Sequence, residues 1–102
     1  MAITNANVAA TDTTIYTSSG NTVISTLHLC NQSGGTVTCS LNLVGSGGSV
    51  GANNLVYKNI SISASDTYVI ETERFILGNG DFFSAISNVA NAVIATTTYT
   101  GI

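Results

Sequence analysis

The sequence predicts an all-β protein: a single antiparallel β-sandwich or small barrel of about seven to eight short strands. Three observations carry that expectation. Leu, Glu, Lys, Gln and Arg are scarce while Thr, Val, Ile and Tyr are plentiful, and β-branched and aromatic side chains fit a pleated surface better than a helix. Turn-forming clusters recur at short intervals: Ser18-Ser19-Gly20-Asn21, 31–35, 45–54, 63–66, 78–81 and 88–91. Their Gly, Asn, Asp and Ser residues supply the backbone conformations that turns need. Between the clusters lie runs of strand length with period-two alternation, at the spacing of a sandwich or barrel.

Taken in order, residues 1–12 carry isolated Ile3 and Val8 among Ala, Asn and Thr, with no sustained period. They read either as a frayed end or as an arm laid on a neighbouring subunit, leaving 13–102 as the domain. Strands are then expected near 13–17, 22–30, 36–44, 55–62, 67–77 with a break near Glu73, 82–87 and 92–99. There is no Pro, which removes one common device for blunting sheet edges.

Composition excludes several functions. The chain has 102 residues, of which Thr, Ser, Asn and Gly supply 48, and the formal net charge is −3. With Lys58 and Arg74 as its two cations, it lacks the clustered basic residues from which phosphate-backbone affinity comes, so no nucleic-acid partner is expected. Low charge and 44% apolar residues are the opposite of the disordered signature. At this length folding hides roughly 60–70% of the unfolded chain's surface, enough for a modest core without metal or disulfide. No apolar run approaches the ~20 residues of a transmembrane helix, so no membrane partner is expected. Met1 to Asn5 lack the basic patch and apolar stretch of a secretory signal, so synthesis in a cytoplasm is expected. Two cysteines are too few for a disulfide scaffold.

Cys30 and Cys39 flank a segment that reads as a hairpin connection. A two-residue turn at Gly34-Gly35 would face them directly, within disulfide reach. The apolar pattern opposes that register. Val23, Leu27 and Leu29 on one strand, and Val37, Cys39, Leu41 and Leu43 on the next, are all odd-numbered. Burying both sets together needs a three-residue Ser33-Gly34-Gly35 loop, because facing pairs share a side of the sheet. Cys30 then lies on the polar face with Thr26 and His28, and Cys39 points inward. Burying these side chains, at about 1.5–3 kcal/mol each, outweighs one short-loop disulfide of about 3 kcal/mol or less. Two free thiols are expected.

Residues that could carry chemistry are few. His28 is the single histidine, and no Gly-x-Ser-x-Gly leads from a strand into a helix as a nucleophile elbow requires. His28 and Cys30 offer two metal ligands where a structural zinc wants four. Glu71 and Glu73 share a strand face, but Arg74 is adjacent and Trp is absent, which favours a solvated edge or intersubunit ion pair over a glycosidase-type carboxylate pair. Residues 45–51 are glycine-rich but lack the Lys-Ser/Thr and following helix of a phosphate loop, so they read as a long flexible connection. Asn31-Gln32-Ser33 and Asn59-Ile60-Ser61 match the glycosylation sequon and carry little weight without a secretory signal. No catalytic, metal or cofactor-binding residue is expected, and the chain is not expected to be an enzyme. A neutral hydroxyl and amide exterior, which desolvates more cheaply than a charged one, points to a subunit covered by other protein.

The strand Val23-Ile24-Ser25-Thr26-Leu27-His28-Leu29-Cys30-Asn31, the loop Ser46-Gly47-Gly48-Ser49-Val50-Gly51-Ala52-Asn53-Asn54-Leu55 and the segment Ile62-Ser63-Ala64-Ser65-Asp66-Thr67-Tyr68 fit one pattern. So do Phe75-Ile76-Leu77-Gly78-Asn79-Gly80-Asp81 and Ala92-Val93-Ile94-Ala95-Thr96-Thr97-Thr98-Tyr99. Across most of 13–102 the chain resembles the small β-sandwich virion proteins of tailed bacteriophages, common among phages of marine and cyanobacterial hosts. The resemblance implies a structural component of the virion without catalytic positions. The leading reading is a capsid decoration or cement subunit binding the assembled shell, with the major capsid protein and copies of itself as partners. A tail, neck or fibre subunit is the first alternative. A carbohydrate-binding module using some of Tyr16, Tyr57, Tyr68, Tyr99, Phe75, Phe82 and Phe83 is the alternative from another class.

Overall fold

The computed structural model describes residues 2–70 and 75–102. Among these residues nine strands form: β1 (Ala2–Val8), β2 (Thr13–Thr17), β3 (Thr22–Asn31), β4 (Val37–Val44), β5 (Leu55–Ile62), β6 (Thr67–Ile70), β7 (Phe75–Leu77), β8 (Phe82–Ser87) and β9 (Val93–Gly101), with a 3-10 turn at Ala52–Asn54. They make two antiparallel sheets. The first runs β1-β9-β3-β6, with β7 also on β3, and the second runs β2-β8-β4-β5. β6 pairs with the later half of β3 and β7 with its start, so the two pieces form one interrupted edge. With that edge counted as a single strand, the two orders are those of an eight-stranded jelly roll, two Greek keys folded into a sandwich.

The topology corrects the hairpin expected between residues 30 and 39. β3 and β4 do not pair; they lie in different sheets, and residues 32–36 cross from one to the other. The thiols are nonetheless free, Cys39 buried and Cys30 partly exposed, because the odd-numbered faces of both strands meet across the core instead of side by side. One odd-numbered residue departs from the pattern. β3 shifts register against β9 between Ile24 and Thr26, a bulge at Ser25 that turns Ile24 inward and Val23 outward.

Residues 1–12 also differ from expectation. Ala2–Val8 is a strand of its own sheet, paired without interruption from Ala2↔Tyr99 to Val8↔Val93. Its inward residues Thr4, Ala6 and Val8 include one fully buried side chain, and Ile3 faces outward. It has almost no apolar alternation for a sequence reading to detect, and pairing with β9 fixes its place. The other expected strands fall within a residue or two of those observed; residues 71–74, with the break near Glu73 and the Glu71, Glu73 and Arg74 readings, lie outside the described residues.

The core fills the space between the sheets. The first sheet contributes Val8, Ile24, Leu27, Leu29, Ile70, Phe75, Leu77, Val93 and Ala95, and the second Ile15, Val37, Cys39, Leu41, Ile60, Ile62, Phe83 and Ala85. Phe75 and Phe83 meet edge to face across the core, ring centroids 6.2 Å apart. Tyr16 and Tyr99 bridge the sheets at 4.4 Å, a separation at which aromatic pairs add to the burial of their area.

Each end of the sandwich is clamped by a polar side chain. At one end the Asp81 carboxylate accepts the Gly78 and Ser46 amides, both at 2.8 Å, while its carbonyl accepts the Ser18 amide at 2.8 Å. Asn79 accepts the Gly20 amide, so three connections are joined. Gly80 there has φ +86°, and a Cβ on it would overlap the Ser46 hydroxyl, so this position needs glycine. At the other end stands Asn31, fully buried. Its Nδ2 donates to the carbonyls of Gly35 (2.8 Å), Ile62 (3.0 Å) and Ser63 (3.2 Å), and its Oδ1 accepts the Ser33 amide (2.9 Å) and hydroxyl (2.7 Å).

Among the described residues one buried hydroxyl is left over. Thr97 Oγ1, on the core face of β9 opposite Leu27, has no hydrogen-bond partner. Burying an unpaired hydroxyl costs about 1–3 kcal/mol, and Val has nearly the same shape. Thr97→Val is therefore expected to stabilise the fold by about 1 kcal/mol, raising the melting temperature by about 4–8 °C. An unchanged or lower value in thermal unfolding would show that the hydroxyl is satisfied in solution.

Candidate functional site

His28 and Cys30 stand on the outer face of β3, as their spacing requires, opposite Val69 and Thr67 on β6 and Thr96 and Ile94 on β9. These four neighbours offer no carboxylate, imidazole or thiol. No group of three His, Cys, Asp or Glu side chains converges anywhere among the described residues. The arrangement brings together two soft ligands and hydroxyls, short of a metal centre.

Cys39 is enclosed among core side chains, and burial pushes its thiol up from 9.0 to about 11. A thiol must ionise to act as a nucleophile, so Cys39 is a filler of the core, in keeping with an apolar position. The two sequons divide as well. Asn31 is fully buried and its amide is engaged in the crossing, which leaves no room for a glycan, whereas Asn59 is exposed on β5 with φ +53°.

The glycine-rich 45–54 segment is held in place. Asn42, buried on the outer face of β4, donates to the Gly51 carbonyl at 2.9 Å and to Asn54 Oδ1 at 2.8 Å. Asn54 in turn accepts the Gly51 amide and donates to the Ser49 carbonyl. These bonds fold the connection back over Asn42, so the segment expected to be a long flexible connection is a pinned cover on the second sheet. Sequence gave one clue, the pair Asn53-Asn54 at the end of a glycine run, since Asn side chains commonly bond nearby backbone.

A concavity of about 260 Å³ lies on the outer face of the second sheet and is lined by Ala10, Thr38, Ser40, Asn59, Ile86, Ser87 and Asn88. Its polar groups already bond one another: Asn88 Oδ1 accepts the Thr38 amide, and Ser40 Oγ accepts the Asn59 amide, both at 2.9 Å. No ionisable side chain lines it, so it offers a neutral hydrogen-bonding wall and no acid, base or nucleophile. Sequence reasoning did not single out this groove, whose lining comes from four separated segments.

Of the seven aromatics, Phe75 and Phe83 are buried, Tyr16, Tyr57, Tyr99 and Phe82 are half-buried, and Tyr68 is exposed. β1 and β2 contact each other at one pair of sheet edges, so β5 and the β6/β7 edge lie at the opposite edges. Those edge strands carry Leu55, Val56, Tyr68, Val69 and Ile76, five of the eight exposed large apolar residues among those described. Leu55 pairs with Asn42 on the outer face of the second sheet, whereas Val69 and Ile76 pair with His28 and Val23 on the outer face of the first.

No family model, curated protein or solved structure matches this chain.

The burial of Cys39 has a consequence for stability at high pH. The neutral thiol is favoured in the folded state, so stability is fully present below pH 9.0 and falls as pH rises toward about 11, while the unfolded chain ionises first. The loss is expected to be on the order of 2–3 kcal/mol at completion. Denaturant unfolding between pH 8 and pH 11 is expected to show this decline in the wild type and a smaller one in Cys39→Val. Equal slopes for the two proteins would contradict it.

Proposed function

We propose that this chain is a non-catalytic structural subunit of a tailed-bacteriophage virion, and that it decorates the capsid, binding the assembled shell. The observation that carries the reading is the set of exposed apolar side chains on the edge strands β5, β6 and β7, in an exterior of hydroxyls and amides. Such side chains have no chemistry to perform and gain by being covered, and their neutral surroundings desolvate cheaply. Two further features support it. The chain resembles small virion proteins of tailed phages over most of 13–102, and the jelly roll is an architecture shared by viral capsid domains, lectin domains and cupins. The fold alone does not choose among those uses; the lack of an ionisable cluster among the described residues weighs for packing over catalysis.

In this reading the partners are the major capsid protein and copies of the chain itself, and the place of action is the virion, after synthesis in the host cytoplasm. The mechanism is mass action. A subunit that binds the closed shell and not its open or ruptured form stabilises the closed form by about 2.7 kcal/mol per site at a hundredfold excess over Kd. A tail, neck or fibre ring is the second reading, favoured by the same apolar side chains. Copy number separates the two, since a shell lattice takes many copies and a ring takes few.

Particles carrying the protein are expected to release their genome at a higher temperature than particles lacking it. Val69→Asp and Ile76→Asp, which place charge among the exposed apolar side chains, are expected to lower occupancy while leaving the isolated subunit folded. Genome release at the same temperature with and without the protein would contradict the decoration reading.

A further inference from the structure

The sandwich has four open edges, and they differ. β2 is five residues long and shifts register between Thr14 and Tyr16. β5 shifts register twice against β4, carries Lys58 and holds Asn59 at φ +53°. Along the β6/β7 edge the pairing with β3 shifts by two residues between Leu27↔Ile70 and Ile24↔Phe75. Short strands, bulges and charged side chains are the devices by which natural sheets prevent edge-to-edge pairing. β1 has none of them. It runs seven residues with an unbroken register, no charge, no Pro and no left-handed residue, and its outer edge pairs with nothing among the described residues.

We propose that β1 is the self-association edge of this protein: the β1 of a second copy pairs with it antiparallel about a two-fold axis at Asn5, joining two sheets into one. The strand is self-complementary in this register. Ile3 faces Asn7 of the other copy and Asn5 faces Asn5, while Ala2 faces Val8 and Thr4 faces Ala6. Facing pairs share a side of the sheet, so the outward residues Ile3, Asn5 and Asn7 stay outward in both copies and Thr4, Ala6 and Val8 stay inward. All seven residues are paired, and with no charge on the strand no like charges meet. The Asn5 side-chain oxygen Oδ1 accepts the Thr96 hydroxyl at 2.9 Å, which fixes its side chain on the outer face beside the axis. Two-fold closure uses one patch twice and leaves no further β1 edge open, so pairing stops at the dimer. Ile3, 66% exposed in the single chain, gains cover beside the new strand.

This extends the reading of the chain as a subunit by naming one of its partners, a second copy, and the edge that copy uses. Its test needs no virion. The two side chains facing each other at the axis lie within disulfide reach, because directly opposed Cα atoms in antiparallel strands are about 4.5–5.5 Å apart. In a Cys30→Ser background, Asn5→Cys is expected to form a copy-to-copy disulfide about tenfold faster than Asn59→Cys on the bulged β5 edge. Asn7→Cys, which faces Ile3, is expected to be as slow as the β5 variant. Asn5→Lys places two cations face to face and is expected to convert the dimer seen in sedimentation to a monomer, with an unchanged far-ultraviolet spectrum. The proposal is overturned if the wild type sediments as a monomer at every concentration, if the Asn5→Lys protein stays dimeric, or if Asn59→Cys cross-links as fast as Asn5→Cys. A chain that binds shells as a monomer would fail here while satisfying the decoration reading.

Discussion

The structure depends most on a buried side-chain amide at the point where the chain leaves one sheet for the other. Asn31 ends β3, and β4 begins in the opposite sheet six residues later. A crossing of this kind strands backbone groups that a hairpin would have paired, and buried backbone groups must find partners. The Asn31 amide supplies them. Its two N–H hydrogens serve the three carbonyls of Gly35, Ile62 and Ser63, one hydrogen being shared, and its oxygen takes the amide and hydroxyl of Ser33. The backbone at this end extends the clamp: the Asn31 amide donates to Asp66, and the Gln32 amide to Ala92, each at 2.8 Å. The ends of β3 and β5 and the turns before β6 and β9 thereby meet at one residue.

A chain with seven charged residues has few ion pairs to spend on specifying a fold, and this one specifies its corners with side-chain hydrogen bonds to backbone. Asn31 closes one end, Asn42 and Asn54 hold the long connection down, and Asp81 with Asn79 closes the other end. Hydrogen bonds of this kind contribute about 1 kcal/mol each to stability, but leaving any of the buried groups unmade costs more. Their main effect is therefore to exclude other arrangements of the same strands. The exterior that results is neutral and hydroxyl-rich, with exposed apolar side chains on β5, β6 and β7 and an unguarded edge at β1.

Strand positions were legible in the sequence because turn clusters and two-residue alternation act locally. β4 is the clearest case, with Val37, Cys39, Leu41 and Leu43 alternating with Thr38, Ser40 and Asn42. The pairing was not legible. Odd-numbered Leu27, Leu29, Val37 and Cys39 read equally well as neighbours in one sheet or as opposite walls of a core, and the choice is made by Asn31, whose partners at Ile62 and Ser63 are about thirty residues away. The Ser25 bulge was hidden for a similar reason, since Val23 and Ile24 are equally apolar and the partner strand decides which turns inward. β1 was missed because Ala and Asn carry little strand signal and its place is set by pairing with β9. The free thiols, the outward pair His28 and Cys30, and the inward Cys39 were legible because each depends on the parity of a single strand.

The account stands on Asn31 as the residue that joins the sheets, and the direct test is the denaturant unfolding of Asn31→Leu. Leucine repeats the branched outline of asparagine with two methyl groups in place of the amide, so it keeps the site filled while removing every hydrogen bond of the side chain. Five groups lose their hydrogen bond to Asn31 in this variant, that of the buried Ile62 among them, and the account predicts a loss of about 3 kcal/mol or more, up to failure to fold. A loss below about 1 kcal/mol, within the ordinary range for a surface substitution, would contradict it.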